Sequence, residues 1–370
     1  MGRLRRVSDE RAFSGPLFAA KDYPQGQREP MLTDFFASLR RRFGPLPPLE
    51  SLEALTDDPL VIDGIRRSYE RFAEGVRELR ETKGEVGVPA NPHIKTIGGF
   101  PILRELGRGG MGAVYLAENE KQQQVVIKVP FSEFGTAPQY VELFFREFQA
   151  LATVRHENIV RVFRFGRDEA QGVYYYVAEF VDGVSLKDWV DAWPDRHFTG
   201  PEAATVSLGV LRALRFLRSR NVTHRDLKPG NIMFDRDGWV KLIDFGAAKI
   251  AGQHSELTNA GVMLGTFDYM APEAGKKGAE KTVGTERDLY ALGILHYRLL
   301  KGRLPIEFGA GHDAAVTFAR FADARGRPLK DLKGIDRLST HLLHRLTERD
   351  PAKRLVDFDE IEARLAQIIR

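Results

Sequence analysis

Cysteine is missing altogether from these 370 residues. That absence removes disulfide staples, thiolate nucleophiles and cysteine-ligated zinc, and it suits a reducing cytoplasm, the expected location. Long apolar runs are missing too. None approaches the roughly 20 residues that a membrane span needs, so no span is expected. The opening Met1-Gly2-Arg3-Leu4-Arg5-Arg6 is charged and leads into no apolar stretch, which argues against a secretory leader. Gly2 alone would suit N-myristoylation, but Arg6 stands where that signal wants Ser or Thr. An excess of one charge is also lacking. The 55 Lys and Arg nearly balance 51 Asp and Glu, and the signs are interleaved along the chain. Nucleic acid is therefore not an expected partner, because cations that bind it are normally clustered. What remains, 43% hydrophobic and 29% charged residues, is the composition of a globular protein long enough for more than one folding unit.

Along the chain, residues 1–30 are rich in Arg, Pro, Gly and Ser without periodicity and read as a flexible basic arm. A helical extension is expected over 31–83. Leu32, Phe35, Phe36, Leu39 and Phe43 follow helical spacing, and Gly44-Pro45 stops them. A short helix over 49–55 precedes a longer one that starts after the Thr56-Asp57-Asp58 cap, with Pro59 in its first turn. In that longer helix Ile62, Ile65, Tyr69, Phe72, Val76 and Leu79 form an apolar seam. The seam either packs on neighbouring helices or on the small lobe of the next domain, or it serves a homodimer or a docking partner through the 59–83 helix. Residues 84–97, Gly- and Pro-containing, read as a linker.

From Phe100 on, short alternating strands flank Gly107-Arg108-Gly109-Gly110-Met111-Gly112. Glycines at such a hairpin let backbone N–H groups approach phosphate oxygens with no Cβ in between. Alone, this spacing also suits a dinucleotide-binding fold, but that fold needs a helix next. Here a second strand follows, Ala113-Val114-Tyr115-Leu116. Val125-Val126-Ile127-Lys128-Val129 is a buried-strand pattern holding one Lys, which is costly there unless paired.

Further on comes the densest chemistry: His224-Arg225-Asp226-Leu227-Lys228-Pro229-Gly230-Asn231, then Ile243-Asp244-Phe245-Gly246. Asp226 can accept a hydroxyl proton, Lys228 can neutralise a transferring phosphate, and Asn231 with Asp244 can hold a divalent metal. The order H-R-D-L-x-x-x-N then D-F-G resembles that of the eukaryotic-type (Hanks-type) Ser/Thr protein kinases, and the G-R-G-G-M-G loop is most similar to bacterial members.

The resemblance implies an α+β bilobal protein-kinase fold over 98–370, with a small β-rich N-lobe (98–180) carrying the family's αC helix and a larger α-helical C-lobe (181–370), plus the short α-helical N-terminal extension. It implies ATP and Mg²⁺, with Mn²⁺ a substitute, and Ser/Thr-bearing protein substrates. Asp226 would take the hydroxyl proton, Lys228 would contact the γ-phosphate, Asn231 and Asp244 would hold the metal, and Lys128 would hold phosphates while pairing with Glu147. ATP would lie against Leu106, Gly107, Arg108, Gly109, Gly110, Met111, Gly112, Val114, Val126, Lys128, Ala178 and Met233, with Glu179 and Val181 offering backbone groups to adenine and their side chains mattering little.

Ala178 stands where a larger residue is common in the family, and Val126 where Ala is usual, so bulk is expected to have moved between two walls of the adenine pocket. Arg225 next to Asp226 implies control by phosphorylation of the loop that follows, at Thr258 first and Ser255 second, with autophosphorylation the expected route. Thr266 resembles the Thr that contacts the catalytic loop. Asp288 is expected to fix the catalytic-loop backbone and Arg354 to pair with Glu273, both as structural residues. The intact Lys128, Asp226, Asn231 and Asp244 disfavour a pseudokinase or scaffold that binds ATP without turnover. Ala271-Pro272-Glu273 disfavours a small-molecule kinase of related fold. After the last helix the chain ends, so regulation is expected from the first 95 residues or from another protein.

Overall fold

The computed structural model describes residues 59–83, 88–89, 95–109, 112–130, 154–193, 197–244, 267–275, 284–306, 329 and 331–370. The expected arm, the 31–43 and 49–55 helices, Gly110, Met111, Glu147, Ser255, Thr258 and Thr266 lie outside them. Helix α1 is Pro59–Lys83. Strands β1 Val88–Pro89 and β2 Thr96–Ile97 follow, then β3 Phe100–Gly109, β4 Gly112–Glu118, β5 Gln124–Pro130, β6 Val162–Asp168 and β7 Val173–Glu179. These seven form one antiparallel sheet in the order β1-β3-β4-β5-β7-β6, with β2 also on β3. The stretch expected as a linker thus contributes two short strands to the small lobe.

Period-two alternation sorts this sheet into two faces. Ala113, Tyr115 and Ala117 of β4, Val125, Ile127 and Val129 of β5, and Tyr175 and Val177 of β7 close one core with Ile97. The residues between them, Val114, Val126, Lys128 and Ala178, fall on the other face. Tight approach also shapes the hairpin: a Cβ on Gly112 would lie 2.1 Å from the Val129 carbonyl oxygen, so only glycine fits.

The large lobe begins with β8 Gly183–Ser185 and α2 Leu186–Ala192, which Ser185 caps through the Asp188 N–H. Helix α3 Gly200–Arg218 opens with a reciprocal capping box between Thr199 and Glu202. Its buried stripe runs from Ala203 to Leu217, and it packs on α4 Glu286–Lys301 and α6 Phe358–Ile369. Helix α5 Arg337–Leu346 lies against α4 and α6, and Gly302 at φ +67 ends α4 in the left-handed conformation glycine permits. Strands β9 Ile232–Asp235 and β10 Val240–Leu242 join β8 in a small sheet ordered β10-β9-β8. Among the described residues no helix is long and apolar enough to cross a membrane.

Helix α1 belongs to the large lobe. It packs on α2, α3, α6 and the β8–β9 pair. Its buried face is Gly64, Ser68, Phe72, Gly75, Val76 and Leu79. Phe72, 1% exposed, stacks on Phe234 at 4.6 Å and meets Trp189 edge-on at 6.0 Å. A Cβ on Gly75 would lie 2.0 Å from the Trp189 ring, and one on Gly64 would lie 2.6 Å from Ile369, so both positions require glycine for the close approach. Ser68 donates to the Gly64 carbonyl and accepts from Thr205 of α3. Arg71 pairs with Glu202 and Arg80 with Asp182. For Phe72, Val76 and Leu79 this meets the first of the alternatives stated for the apolar seam, packing on neighbouring helices. Phe72, Val76 and Leu79 are spent inside the chain on the large lobe, so they are not a surface for a second copy or for the small lobe.

Candidate active site

The loop carrying His224 to Asn231 is fixed from below. Asp288, in the first turn of α4 and 3% exposed, accepts from the His224 and Arg225 backbone N–H groups at 2.8 Å each. Arg225 sits at φ +66, a conformation that costs a non-glycine residue about 1–2 kcal/mol and persists only when its surroundings hold it. Burial pushes the Asp288 carboxyl up to about 6, while the two N–H donors pull it back down. Burial likewise lowers the pKa of the Arg225 guanidinium against the pull of Asp288, and its Nε is buried with no hydrogen-bond partner among the described residues.

Within this frame the polar groups converge. Lys228 Nζ donates to Asp226 Oδ2 at 2.7 Å. Asn231, on the 3-10 turn Pro229–Asn231 that leads into β9, donates through Nδ2 to the Asp226 carbonyl at 2.8 Å and to Oδ2 at 3.1 Å. Those two bonds orient the amide so that Oδ1 carries no hydrogen bond among the described residues. The Ile243 N–H reaches the Asn231 carbonyl at 3.0 Å, which tethers the residue before Asp244 to the same turn. From the small lobe, Lys128 Nζ meets Asp244 Oδ1 at 2.6 Å. Glu147, the expected partner of Lys128, lies outside the described residues; Asp244 is an anion on this Lys among the described ones. No cluster of three His, Cys, Asp or Glu occurs among the described residues. The free Asn231 oxygen and the Asp244 carboxylate nonetheless suit Mg²⁺, which takes one or two protein oxygens and fills its shell with water and phosphate.

The wall above is the sheet face opposite the small-lobe core. Register sets Val114 against Lys128, and Val126 directly across from Ala178. The two positions expected to trade volume are therefore cross-strand neighbours. Leu106, Gly107, Arg108 and Gly109 line the end of β3, where Arg108 forks onto Glu105 at 2.9 and 2.7 Å. Met233 of β9 pairs in register with Ser185. Val181 lies between β7 and β8. The Glu179 side chain has a structural part beside the backbone role expected of this residue. It accepts from the Arg161 N–H at 3.1 Å and from Lys241 of β10 at 2.9 Å, so it ties the strand between the lobes to the large lobe.

Asn158 makes a second tie: its Nδ2 reaches the Val240 carbonyl at 2.8 Å and its carbonyl receives the Leu242 N–H at 2.9 Å. Sequence reasoning named the backbone of Glu179 but not these side-chain bonds, and gave Asn158 no role; an Asn directly after His156-Glu157 was the available signal. Arg354, expected opposite Glu273, forks onto it at 2.7 and 3.0 Å and also donates to the Glu286 and Glu348 carbonyls.

Known proteins carry the same organisation. A model of the protein kinase domain matches residues 100–364. Serine/threonine-protein kinase Pkn1 of Myxococcus xanthus is 41% identical over 217 residues, covering 56% of this chain and 29% of that protein. PrkC of Bacillus subtilis, another serine/threonine-protein kinase, is 30% identical over 269 residues, 72% of this chain and 40% of that protein. The chain therefore spans less than half the length of either relative. The crystal structure of the Mycobacterium tuberculosis PknI kinase domain shares the fold, with a TM-score of 0.56 at 23% identity over 74% of this chain and 97% of that one. With a kinase domain matched from 100 to 364, built as a curled sheet over a helical lobe with the H-R-D loop between them, the chain belongs to the protein kinase family.

Proposed function

We propose that the chain is an ATP-dependent protein serine/threonine kinase, transferring the γ-phosphoryl group of ATP to Ser or Thr hydroxyls of protein substrates. The observation that carries this reading is the convergence of Asp226, Lys228 and Asn231 in a loop held by Asp288, facing the Lys128–Asp244 pair. Phosphoryl transfer asks the protein mainly for position and charge, and each residue has one such task. Asp226 orients the acceptor hydroxyl and takes its proton as the oxygen–phosphorus bond forms. Lys228, already 2.7 Å from that carboxylate, is placed to neutralise charge on the transferring group. Lys128 holds phosphate oxygens from the small lobe. Asn231 and Asp244 would hold Mg²⁺, which neutralises phosphate charge there when bound. Glycines at the β3–β4 turn allow backbone N–H groups near the phosphates, and adenine lies between Val126, Ala178 and Met233, read by the backbone of Glu179 and Val181.

Control by phosphorylation at Thr258 or Ser255 is part of the proposal. Arg225 supports it, being a half-buried guanidinium whose Nε is buried with no described partner and whose charge burial disfavours. An incoming phosphate would offset both costs. The test follows transfer of label from γ-labelled ATP to protein Ser and Thr, with mass spectrometry of the chain itself. Wild type is expected to transfer and Asp226→Asn to be silent. ATP bound but never turned over by wild type would replace the enzyme with a nucleotide-binding scaffold. An active chain with no phosphate at Ser255 or Thr258 would end the regulatory part.

A further inference from the structure

The residues proposed to handle the nucleotide sit on one side of the small β8–β9–β10 sheet, and α1 occupies the other. Strand β9 shows this by alternation: Met233 belongs to the nucleotide wall, and the next residue, Phe234, points the opposite way and is fully buried under Phe72 of α1. Asn231 lies one residue before this strand, and Val181 lies two residues before β8. The backbones are pressed together here, since a Cβ on Gly183 would fall 1.8 Å from the Phe234 carbonyl oxygen. Movement of β9 is thereby passed to β8.

Asp182, between Val181 and β8, is held from two directions. Arg80 in the last turns of α1 pairs with Oδ1, and Arg236 in the β9–β10 turn reaches Oδ2 at 2.5 Å. A third contact comes from Gly75, whose missing side chain admits the Trp189 ring of α2, the helix that continues directly from β8.

We infer that α1 is the backing of the nucleotide site, with Arg80, acting through Asp182, and Phe72, acting through Phe234, as positioning residues for ATP. None of them touches the nucleotide. They set where Val181 and Met233 stand, so their loss is read in ATP binding before it is read in chemistry. The inference rests on the kinase reading above. It extends that reading to a helix outside the 100–364 match.

The experiment uses the full chain and four variants. Arg80→Glu places a carboxylate against Asp182; Arg80→Lys keeps the charge; Phe72→Leu removes the ring stack while keeping an apolar side chain; Arg77→Glu reverses a charge on the exposed side of the same helix as control. KM for ATP, KM for a phosphoacceptor protein, kcat and the midpoint of thermal unfolding are measured for each. Titration calorimetry with ATP is run on the same variants in an Asp226→Asn background.

Arg80→Glu is expected to raise KM and the dissociation constant for ATP about three- to fivefold, with the acceptor KM unchanged, and Arg80→Lys to restore most of the affinity. Phe72→Leu should move in the same direction, and Arg77→Glu should match wild type. A helix that only stabilises the lobe would lower the unfolding midpoint and leave ATP affinity at temperatures below it untouched. That result, or equal shifts in Arg77→Glu, overturns the inference. Because calorimetry needs no turnover, a wild type that transfers nothing would sink the kinase reading without deciding this one.

Discussion

Replacing Asp288 by Asn removes one acceptor from a buried position that faces two backbone donors. In the native chain both carboxylate oxygens are used, each 2.8 Å from an N–H of the catalytic loop. A hydrogen bond to a charged group contributes about 1.5–3 kcal/mol. The Asn amide keeps one of these bonds and presents N–H to N–H at the other. Relief of burying a charge works the other way, since burial pushes this carboxyl up to about 6. The balance is a loss of about 2–3 kcal/mol, felt where Arg225 is held at φ +66. Released, that residue returns to negative φ and carries Asp226 with it. In a lobe of this size such a loss lowers the unfolding midpoint by about 4–12 °C. If the loop's productive arrangement carries the whole cost, kcat falls about 30- to 150-fold. Steady-state phosphorylation assays at a temperature well below the midpoint, with calorimetric melting beside them, measure both. An Asp288→Asn protein with wild-type kcat and midpoint would refute the claim that this carboxylate sets the loop.

Three further outcomes are expected. His296, fully buried and bonded to Ser207 at 2.9 Å, and His156 are held by burial at about 4, well below an unfolded histidine, so the unfolded chain binds protons first and stability falls as pH drops from about 6.5 toward 4. Asp288, shifted upward, acts in the opposite sense between about 4 and 6 and offsets part of this; melting curves from pH 7.5 to 5 should flatten in His296→Gln, and parallel slopes would count against the assignment. Arg354→Ala strands Glu273, with which it forms a pair whose Arg side chain is fully buried, and should cost about 3–5 kcal/mol by denaturant titration; a loss under about 1 kcal/mol would show the pair to be dispensable. Ala178→Met, directly across from Val126, should weaken an ATP-competitive inhibitor with a bulky group behind the adenine; unchanged affinity would mean that this wall does not border the pocket.

The candidate site was legible in the sequence because the proposed chemistry needs several side-chain types at short spacing in one loop. Asp226, Lys228 and Asn231 could be named from the order alone, and Asp288 and Arg354 from the resemblance together with their partners, the loop backbone and Glu273, which the structure shows in place. The packing of α1 was legible only in part. Apolar periodicity picked out Phe72, Val76 and Leu79 but passed over Gly64, Ser68 and Gly75, where the helix also meets its neighbours closely. Here close helix packing is written in small residues four and seven apart, one and two turns of the helix, which a search for hydrophobic side chains passes over. The side chain of Glu179 was missed for another reason. Its partners, Arg161 and Lys241, are distant in sequence, and only the folded lobes bring a carboxylate and an ammonium 2.9 Å apart.

The seat of Phe72 bears on where this protein can be cut. Boundaries drawn from the family match begin at residue 100 and discard α1. Such a fragment would uncover Phe234, Trp189 and Phe198, three rings that now share one aromatic cluster with Phe72, and would strip Glu202 of its arginine. Contiguous aromatic surface of that kind drives self-association. The smallest soluble, well-behaved piece therefore starts no later than Pro59, and poor solubility of anything shorter would reflect the missing helix rather than a fault in the catalytic fold.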